Sequence, residues 1–546
     1  MVLLKRTLKA SLVILTLALT CILPKSAGQN VEPAKGGTIV PIVRAGDPAS
    51  DIPLLGFNND GQVAFLDVLS GTPGGRSSSR IAIGSTKGLT EIVRTGQPTP
   101  DSNGSFSAHS VYRATGGEFF SPIIGSSPGF QSFDIKCGIS FPQGSSYKDS
   151  RGAFPNSFNN KGQVAFLDTL IGTSGGEDDN IGIFLSGASS IRQIARAGQS
   201  IPDRSGVFSG FSLPVVNDNG DVAFAASIRD SDVRLSARPA ENCTVGIFLA
   251  RNGMLAQVAR SSRAPILEKE RFEGFLPPVI NNKGQMAFVG YHPGLSLTVY
   301  VGSLYLANGS TPVELANAGQ VAPDGNGKFV VFSNPAINDK GQVAFQSILT
   351  ETREGDRDNK GIFLATAGRV VQIARSGQPA PDGSGTVLDV SVPLLNNEGQ
   401  VTFGVTYTGS TPTRIQDTAI MRGTAGGELR QIARTGFPGA DRNGRVAAIG
   451  PPRINNKGQI AFGASFIEAR EPGEPNTGIY FVDGETLVEV VRPGEPAPGE
   501  KSKFAAIGPP LINDFGQIAF VATVTGTDRE AYKNAGIYIW SPVKKK

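Results

Sequence analysis

The hydrophobic and polar positions of this chain repeat a short unit in which a polar turn separates two apolar stretches. One copy runs from "NPAIN" at 334–338 through "DKGQ" to "VAF" at 343–345. Side chains two apart in a strand share one face, so Val343 and Phe345 would face one side of a sheet and Ala344 the other. An Asn followed three residues later by Gly suits a type I turn whose Gly adopts a left-handed backbone and forms a bulge. The unit therefore predicts a β-hairpin.

The unit N-x-x-G-x-x-A-F, with Thr allowed for Ala, occurs eight times. Successive copies start 101, 58, 64, 57, 58, 59 and 58 residues apart. A fixed period of this length indicates a repeat architecture in which each copy is one structural unit. We predict that the first Asn and the Gly of every copy form a structural turn, with an asparagine-based ligand site as the alternative. These residues are Asn58, Gly61, Asn159, Gly162, Asn217, Gly220, Asn281, Gly284, Asn338, Gly341, Asn396, Gly399, Asn455, Gly458, Asn513 and Gly516.

Further β-segments accompany the hairpin within the repeat. One is "GIFL" or a relative, as at 361–364, and another ends in "IARxG" or "VVRxG", as at Arg375. Four short segments per repeat, without helical periodicity, predict one four-stranded antiparallel sheet per repeat. Eight such sheets predict an all-β fold, an eight-bladed β-propeller with the "PxIN" strand innermost and the "IARxG" strand outermost. An open array of sheets and two smaller propellers are the alternatives.

The two ends of the repeat region complement one another. The strand "IVPIVRAG" at 39–46 precedes any hairpin, whereas the last repeat ends at "AGIYIW" (535–540) without such a strand. We therefore predict that the propeller is closed by pairing its N-terminal and C-terminal strands, which removes exposed sheet edges. We assign residues 37–541 to a single β-propeller domain of eight repeats, 102–152 to an insertion within it, and 542–546 to a basic tail.

Residues 1–28 have the pattern of a signal peptide. Their basic start is followed by an apolar core over 10–23 and small residues at 26–28, and the core is short for a membrane span. We therefore expect a secreted, periplasmic or cell-surface protein with no transmembrane segment in the mature chain. An uncleaved anchor and lipidation of Cys21 are the alternatives.

Removal of residues 1–28 changes the charge balance. The remainder has 47 basic and 47 acidic residues, so its charge gives no reason to expect a nucleic-acid partner. Cys137 and Cys243 remain, in no metal-like spacing; they are a candidate disulfide, with two unpaired thiols as the alternative. We predict no cofactor, no metal site and a monomer.

The eight motifs resemble those of the secreted bacterial "choice-of-anchor" tandem-repeat family with NxxGxxAF repeats, over roughly residues 37–540. The resemblance implies bacterial export, a surface or extracellular location, a propeller-like fold and no established activity. It also implies a C-terminal sorting helix in many relatives. The end of this chain, "YIWSPVKKK", lacks such an apolar segment, so we expect a free soluble protein.

Two sets of loops should share the face opposite the N-x-x-G turns: those before "GIFL" and those after "IARxG". The second set carries Asp in "PDxxG" segments, as at Asp101 and Asp324. We predict that these segments form turns, with Ca²⁺ binding as the alternative, and that the Arg of "IARxG" pairs with acids in adjacent loops. The insertion is predicted to run on this same face toward the centre of the ring.

Variable polar loops on a repetitive scaffold favour recognition, so our leading hypothesis is a binding module for a glycan or an envelope protein. His109 and His292 lie in no catalytic context, and nucleophile, phosphate-loop and zinc motifs are absent from the sequence. The first alternative is an extracellular hydrolase or lyase that uses loop acids such as Asp178, Asp179, Glu351 or Glu471. The second is an envelope or matrix scaffold that self-associates.

Overall fold

A computed structural model describes the propeller and part of its loops. The segments that it describes are 33–34, 36–44, 52–69, 78–108, 157–187, 190–230, 243–261, 272, 274–292, 301–309, 311–383, 385–411, 414–436, 445–467, 477–498, 502–525 and 535–543. The predicted signal peptide, residues 109–152 of the predicted insertion, residues 544–546 of the tail, His109, Cys137 and Glu471 lie outside these segments.

The strands form eight sheets, one for each N-x-x-G hairpin, which confirms the all-β, eight-bladed propeller. We number the blades 1 to 8 in the order of their hairpins. The first strands are β1 (Pro33–Ala34) and β2 (Gly37–Arg44), which join blade 8; β3 (Leu54–Phe57), β4 (Val63–Leu69), β5 (Ser78–Ser85) and β6 (Gly88–Arg94) in blade 1; β7 (Ser105–Ala108), β8 (Ala165–Ile171), β9 (Ile181–Ser186) and β10 (Ile191–Arg196) in blade 2; β11 (Gly206–Phe211), β12 (Val215–Val216), β13 (Val222–Asp230), β14 (Cys243–Arg251) and β15 (Met254–Arg260) in blade 3; and β16 (Gly274–Phe275), β17 (Val279–Ile280), β18 (Gln285–His292), β19 (Val301–Asn308) and β20 (Thr311–Asn317) in blade 4.

The second half of the chain repeats the same order. Its strands are β21 (Lys328–Phe332), β22 (Ala336–Ile337), β23 (Val343–Thr350), β24 (Lys360–Thr366) and β25 (Arg369–Arg375) in blade 5; β26 (Val387–Val390), β27 (Leu394–Leu395), β28 (Val401–Thr411), β29 (Arg414–Gly423) and β30 (Leu429–Arg434) in blade 6; β31 (Arg445–Ile449), β32 (Arg453–Ile454), β33 (Ile460–Ile467), β34 (Thr477–Asp483) and β35 (Thr486–Val491) in blade 7; and β36 (Phe504–Ile507), β37 (Leu511–Ile512), β38 (Ile518–Val524) and β39 (Ala535–Pro542) in blade 8. Short 3-10 helical turns at Gly176–Asp178 and Gly355–Arg357 precede β9 and β24. Neither of these two turns, the helical segments in the described part of the chain, could cross a membrane.

The innermost strand of a blade consists of two segments, which corrects the sequence prediction. In blade 3, β11 and β12 both pair with β13, β11 near one end of that strand and β12 near the other. The "PxIN" segment supplies only β12; the other segment follows the "PDxxG" turn, which the sequence assigned to a connection. A Pro before β12 cannot donate a ladder hydrogen bond, which is consistent with the interruption between the two segments.

The insertion leaves the blade inside this interruption. Residues 105–108, which the spacing placed in the insertion, form β7 and pair with β8. On the far side, Phe158 bridges Val164 immediately before the Asn159 turn. The described residues on either side of the insertion, up to Ala108 and from Ser157, therefore belong to two segments of the same innermost strand.

Strands from the two chain ends share one sheet. β2 pairs antiparallel with β39 in a register that runs from Gly37 opposite Pro542 to Arg44 opposite Gly536. β1 pairs with β2, so the paired segment begins four residues before the predicted boundary at residue 37.

The core lies between blades and follows the alternation of the motif. Val343 and Phe345 of blade 5 pack on the blade 4 side, whereas Ala344 packs on the blade 6 side. Phe345 stacks on Phe363 with ring centroids 5.5 Å apart, and Phe329 meets Phe363 edge-on at 4.9 Å. Such aromatic pairs contribute about 1 kcal/mol each beyond the burial of their area.

Candidate functional site

The Asn of each motif closes its own hairpin. In blade 7, Gly458 N donates to Asn455 O at 3.0 Å, while Asn455 Oδ1 accepts from the backbone nitrogens of Lys457 and Gln459 at 3.0 and 2.9 Å. Gly458 has a φ of +76°, where a side chain is disfavoured. The local sequence therefore forms the turn on its own, as a capped type I turn would.

The same Asn also contacts the next blade. Its Nδ2 donates to the backbone oxygen of the first Asn of the following motif, and the contact recurs in all eight motifs at 2.8–3.3 Å. The last of these bonds joins Asn513 to Asn58 and so connects the two ends of the repeat region. The first asparagines therefore form a continuous ring of hydrogen bonds at one end of the propeller, which we call the motif face.

A second ring follows the first. The backbone nitrogen of the second motif residue donates to the side-chain Oδ1 of its counterpart in the next blade, at 2.8–2.9 Å in all eight cases. Asn and Asp both provide the required oxygen. The residues of this ring are Asn59, Asn160, Asp218, Asn282, Asp339, Asn397, Asn456 and Asp514.

The Gly of each motif also accommodates its neighbouring blade. A Cβ on Gly516 would lie 2.8 Å from Gln459 Oε1, and one on Gly399 would lie 2.8 Å from Gln342 Oε1. Gln459 Oε1 is held there by Asn455 Nδ2 at 2.7 Å. All sixteen predicted turn residues therefore lie on the motif face. Within each ring, the polar groups are hydrogen-bonded from one blade to the next.

The opposite end of the strands carries the loops, and we call it the loop face. In blade 3, Asp230 at the far end of β13 pairs with Gly206, the last residue of a "PDxxG" segment. The predicted pairing of "IARxG" arginines with loop acids is found for three of them: Arg196–Asp101 and Arg375–Asp324 lie at 2.8 Å and Arg434–Asp382 at 3.0 Å. Arg94 instead pairs at 2.6 Å with Glu91 on its own strand.

In blade 2 the arginine holds a larger polar cluster. Arg196 Nε donates to Asp179 O at 2.8 Å, and its Nη2 donates to Asn103 O at 2.7 Å. Asn103 Nδ2 in turn donates to Asp179 Oδ2 at 2.9 Å, and Asn103 Oδ1 accepts from Ser174 N at 2.8 Å. The cluster fixes the 3-10 turn at Gly176–Asp178 against the preceding inter-blade loop.

Blade 5 repeats this cluster with different outer residues. Arg375 Nε donates to Asp358 O at 2.7 Å, and Asn326 Nδ2 donates to Asp358 Oδ2 at 2.7 Å. The segment 352–359 corresponds residue by residue to 173–180. Arg353 takes the place of Ser174, and its backbone nitrogen donates to Asn326 as Ser174 N does to Asn103.

The carboxyl group of Asp179 stays ionised. Burial opposes its ionisation, but hydrogen bonds from Thr173, Asn103 and the backbone of Gly175, with the charge of Arg196, outweigh burial and lower its pKa. The pKa of Asp101 is lowered in the same way, against burial, by bonds from Thr99 and Asn103 and by Arg196. General acids in glycoside cleavage need a raised pKa, so these two groups are suited to binding and not to proton donation.

An open cleft of about 440 Å³ lies beside the blade 2 cluster. Its lining includes Ser174, Gly175, Asp178, Asp179 and Gln193. Asp178 is 69% exposed at the side chain and forms an ion pair at 3.0 Å with Arg229, which is 51% exposed. The cleft opens broadly to solvent.

The loop acids named from the sequence separate into different places. Asp178 and Asp179 both line the cleft, whereas Glu351 lies in blade 5 and pairs with Lys328 at 2.7 Å. Glu471 lies outside the described residues. His292 is the last residue of β18 and Cys243 is the first residue of β14, and only their backbones are described. Neither the candidate disulfide nor a role for the histidine is therefore tested.

Asn103 and Gln193 were not singled out from the sequence. The sequence signal for Asn103 was the recurrence of its segment, "PDSNG" before blade 2 and "PDGNG" before blade 5. The asparagine of each segment, Asn103 or Asn326, donates to a loop carboxylate. Gln193 recurs as Gln257, Gln372 and Gln431, and the buried Oε1 of each has no hydrogen-bond partner within the described segments. This buried amide oxygen therefore belongs to the repeat framework.

A family model matches most of the chain. The family of unknown function DUF7453 matches residues 20–240, 131–363, 236–438 and 353–543, so the chain belongs to this family. A comparison with curated protein sequences finds no match.

Solved structures are similar to this chain at low identity. The β-propeller domain of the Trilobed protease from Pyrococcus furiosus is 9% identical, with a TM-score of 0.38 over 82% of this chain and 99% of that one. Pyrococcus horikoshii acylaminoacyl peptidase is 10% identical, with a TM-score of 0.38 over 87% of this chain and 58% of that one. The polysaccharide lyase Uly1 is 11% identical, with a TM-score of 0.35 over 76% of this chain and 95% of that one. Similarities this distant carry no argument about activity.

Proposed function

We propose that this member of the DUF7453 family is an exported binding module that recognises a glycan through the loop face of its propeller. The observation that carries the proposal is the contrast between the two ends of the blades. On the motif face, side-chain amides and carboxylates bond to their counterparts around two complete rings. On the loop face of blade 2, the cleft presents the exposed carboxylate of Asp178.

The chemistry of the cleft favours binding over catalysis. Asp179 is the less exposed of the two aspartates that line the cleft, and its lowered pKa makes it a poor proton donor. A rigid scaffold that carries polar groups on loops is the common arrangement of recognition proteins. Sugars present many hydroxyl donors and acceptors, which polar clefts of this kind bind by hydrogen bonds.

A binding screen with a turnover readout tests this function. The chain without residues 1–28 is titrated against a panel of soluble oligosaccharides, and each mixture is then assayed for cleavage products. Saturable binding of at least one glycan without cleavage is the expected result. Cleavage that Asp178→Asn abolishes would establish the hydrolase or lyase instead. Binding of no glycan, with concentration-dependent self-association in light scattering, would establish a scaffold.

Export is part of the proposal and has its own test. The signal-like pattern of residues 1–28 and the resemblance of the eight motifs to the choice-of-anchor repeats support it. Expression of the full chain in a bacterial host should yield a periplasmic or extracellular product that begins near residue 29. Recovery of the intact chain from the cytoplasm would overturn the proposal of export. The proposal of glycan binding would then still be tested by the binding screen.

A further inference from the structure

We propose that the cleft of blade 2 is the ligand site and that it takes an amino sugar, bound through the sugar's ammonium group. This inference rests on the proposed glycan-binding function and names the ligand class for it. It follows from a comparison of two blades that share one polar framework, and from an account of which polar groups in that framework are already bonded.

The framework is common to blades 2 and 5, whereas the residues that open the cleft are not. Both blades hold an arginine, an asparagine and an aspartate in the same bonds. Blade 2 places Ser174 and Gly175 next to the 3-10 turn, where blade 5 places Arg353 and Glu354. The framework therefore serves blade packing in both places, and the small side chains leave space over it in blade 2.

The turn itself also differs in charge between the two blades. Asp178 projects from the turn in blade 2, and the matching position in blade 5 is Arg357. Asp178 forms an ion pair with Arg229, whose side chain is half exposed. Exposed ion pairs of this kind contribute about 0–1 kcal/mol, so a ligand cation can replace or share this partner at little cost.

The donors of the cluster are already engaged. The three nitrogens of Arg196 donate to Asp179 O, Asp101 Oδ2 and Asn103 O at 2.7–2.8 Å. Asn103 Nδ2 donates a hydrogen bond to Asp179 Oδ2. Carboxylates outnumber guanidinium groups here: Asp101 and Asp179 share Arg196, and Asp178, the most exposed of the three aspartates, pairs with Arg229 and lines the cleft.

A site in which three carboxylates share two guanidinium groups favours a ligand that supplies hydrogen-bond donors and a positive charge. An ammonium group provides three N–H donors, and hydrogen bonds to a charged group are about twice as strong as neutral ones. A neutral sugar would satisfy the oxygens but not the charge. The geometry therefore points to a glycan with free amino groups in preference to a neutral or an N-acetylated one.

Calorimetric titrations with three oligosaccharides of equal length test the inference. Chitosan oligomers carry free amino groups, chitin oligomers carry the N-acetylated form, and cello-oligomers carry hydroxyls only. The variants are Asp178→Asn, which keeps the shape, and Ser174→Arg, which installs the blade 5 residue. The matched control is Asp356→Asn, because Asp356 is an exposed carboxylate on the corresponding turn of blade 5 and its loss changes the net charge equally.

We expect chitosan oligomers to bind most tightly, Asp178→Asn to weaken them about tenfold, Ser174→Arg to abolish binding and Asp356→Asn to act within about twofold. Equal weakening by Asp178→Asn and Asp356→Asn would show nonspecific charge attraction and overturn the site. Tight binding of a neutral glycan, unchanged in all three variants, would overturn the site and the ligand class while the glycan-binding function stands. No binding of any glycan by the wild type would overturn both.

Discussion

The hydrogen-bonded ring on the motif face predicts that one of its asparagines stabilises the whole propeller. Asn455→Ala is the cleanest perturbation, because Asn455 is 4% exposed and its contacts lie on both sides of one blade interface. Its Nδ2 donates to Asn513 O in blade 8 at 2.9 Å and to Gln459 Oε1 at 2.7 Å. Its Oδ1 accepts the two backbone bonds within the turn.

The magnitude follows from which groups lose their partners. Asn513 O keeps the bond from Gly516 N at 3.0 Å, and the Lys457 backbone is close enough to the exposed tip of the turn to be solvated. Gln459 N–H loses its acceptor in a part-buried bond, which costs about 1 kcal/mol, the lower end of the range for an unpaired donor. The lost inter-blade bond and the lost support of Gln459 add about 1 kcal/mol each. We therefore expect the free energy of unfolding to fall by about 3 kcal/mol.

Urea unfolding monitored by tryptophan fluorescence measures this loss. Trp540 is the only tryptophan, is fully buried, and contacts Phe481 across the interface between blades 7 and 8 with ring centroids 5.3 Å apart. The control is Lys283→Ala at the exposed tip of the blade 4 turn, which should act within about 0.5 kcal/mol. A midpoint for Asn455→Ala that coincides with the control would refute the reasoning. Asn455→Asp should be less harmful at pH 3 than at pH 7, since only the protonated carboxyl can donate to Asn513 O.

Three further predictions concern other contacts of the fold. Gly516→Ala should cost about 2 kcal/mol in urea unfolding, since the φ is +76° and the new Cβ meets a Gln459 that is already bonded; a change below about 0.5 kcal/mol would contradict the packing described for this face. Arg434→Met should lower the free energy of unfolding by about 4 kcal/mol, because it leaves Asp417, which is 1% exposed, as a buried charge. In thermal unfolding, the double variant with Asp417→Leu should recover much of this loss. No recovery would argue against an uncompensated charge as the cause. Asp179 has a lowered pKa in the folded protein, so its contribution to stability is present above the pKa of the unfolded chain and is lost as the pH falls through the pKa of the folded protein. The stability difference between wild type and Asp179→Asn should therefore shrink on acidification below about pH 4. A difference that grows there would show the opposite sign.

The sequence alone determined the number of blades and their phase. Both follow from a turn whose Asn and Gly act within five residues, as the bonds of Asn455 to Lys457 and Gln459 show. A signal that is local and repeated eight times needs no knowledge of the partner. The alternation of Val343, Ala344 and Phe345 determined, for the same reason, which residues share a face of the blade, and the structure showed which neighbouring blade each face meets.

The tertiary structure decided what lies across the blade interfaces and where the cleft opens. The partner of Asn455 Nδ2 is 58 residues away, and no spacing reveals that an amide already used in a turn also reaches a second carbonyl. The split innermost strand was missed because β11 and β12 are short, and only pairing with β13 identifies both as one edge. The cleft depends on Ser174 and Gly175 being small beside a framework gathered from two blades, and space left by small side chains is visible only once the surrounding chain is folded.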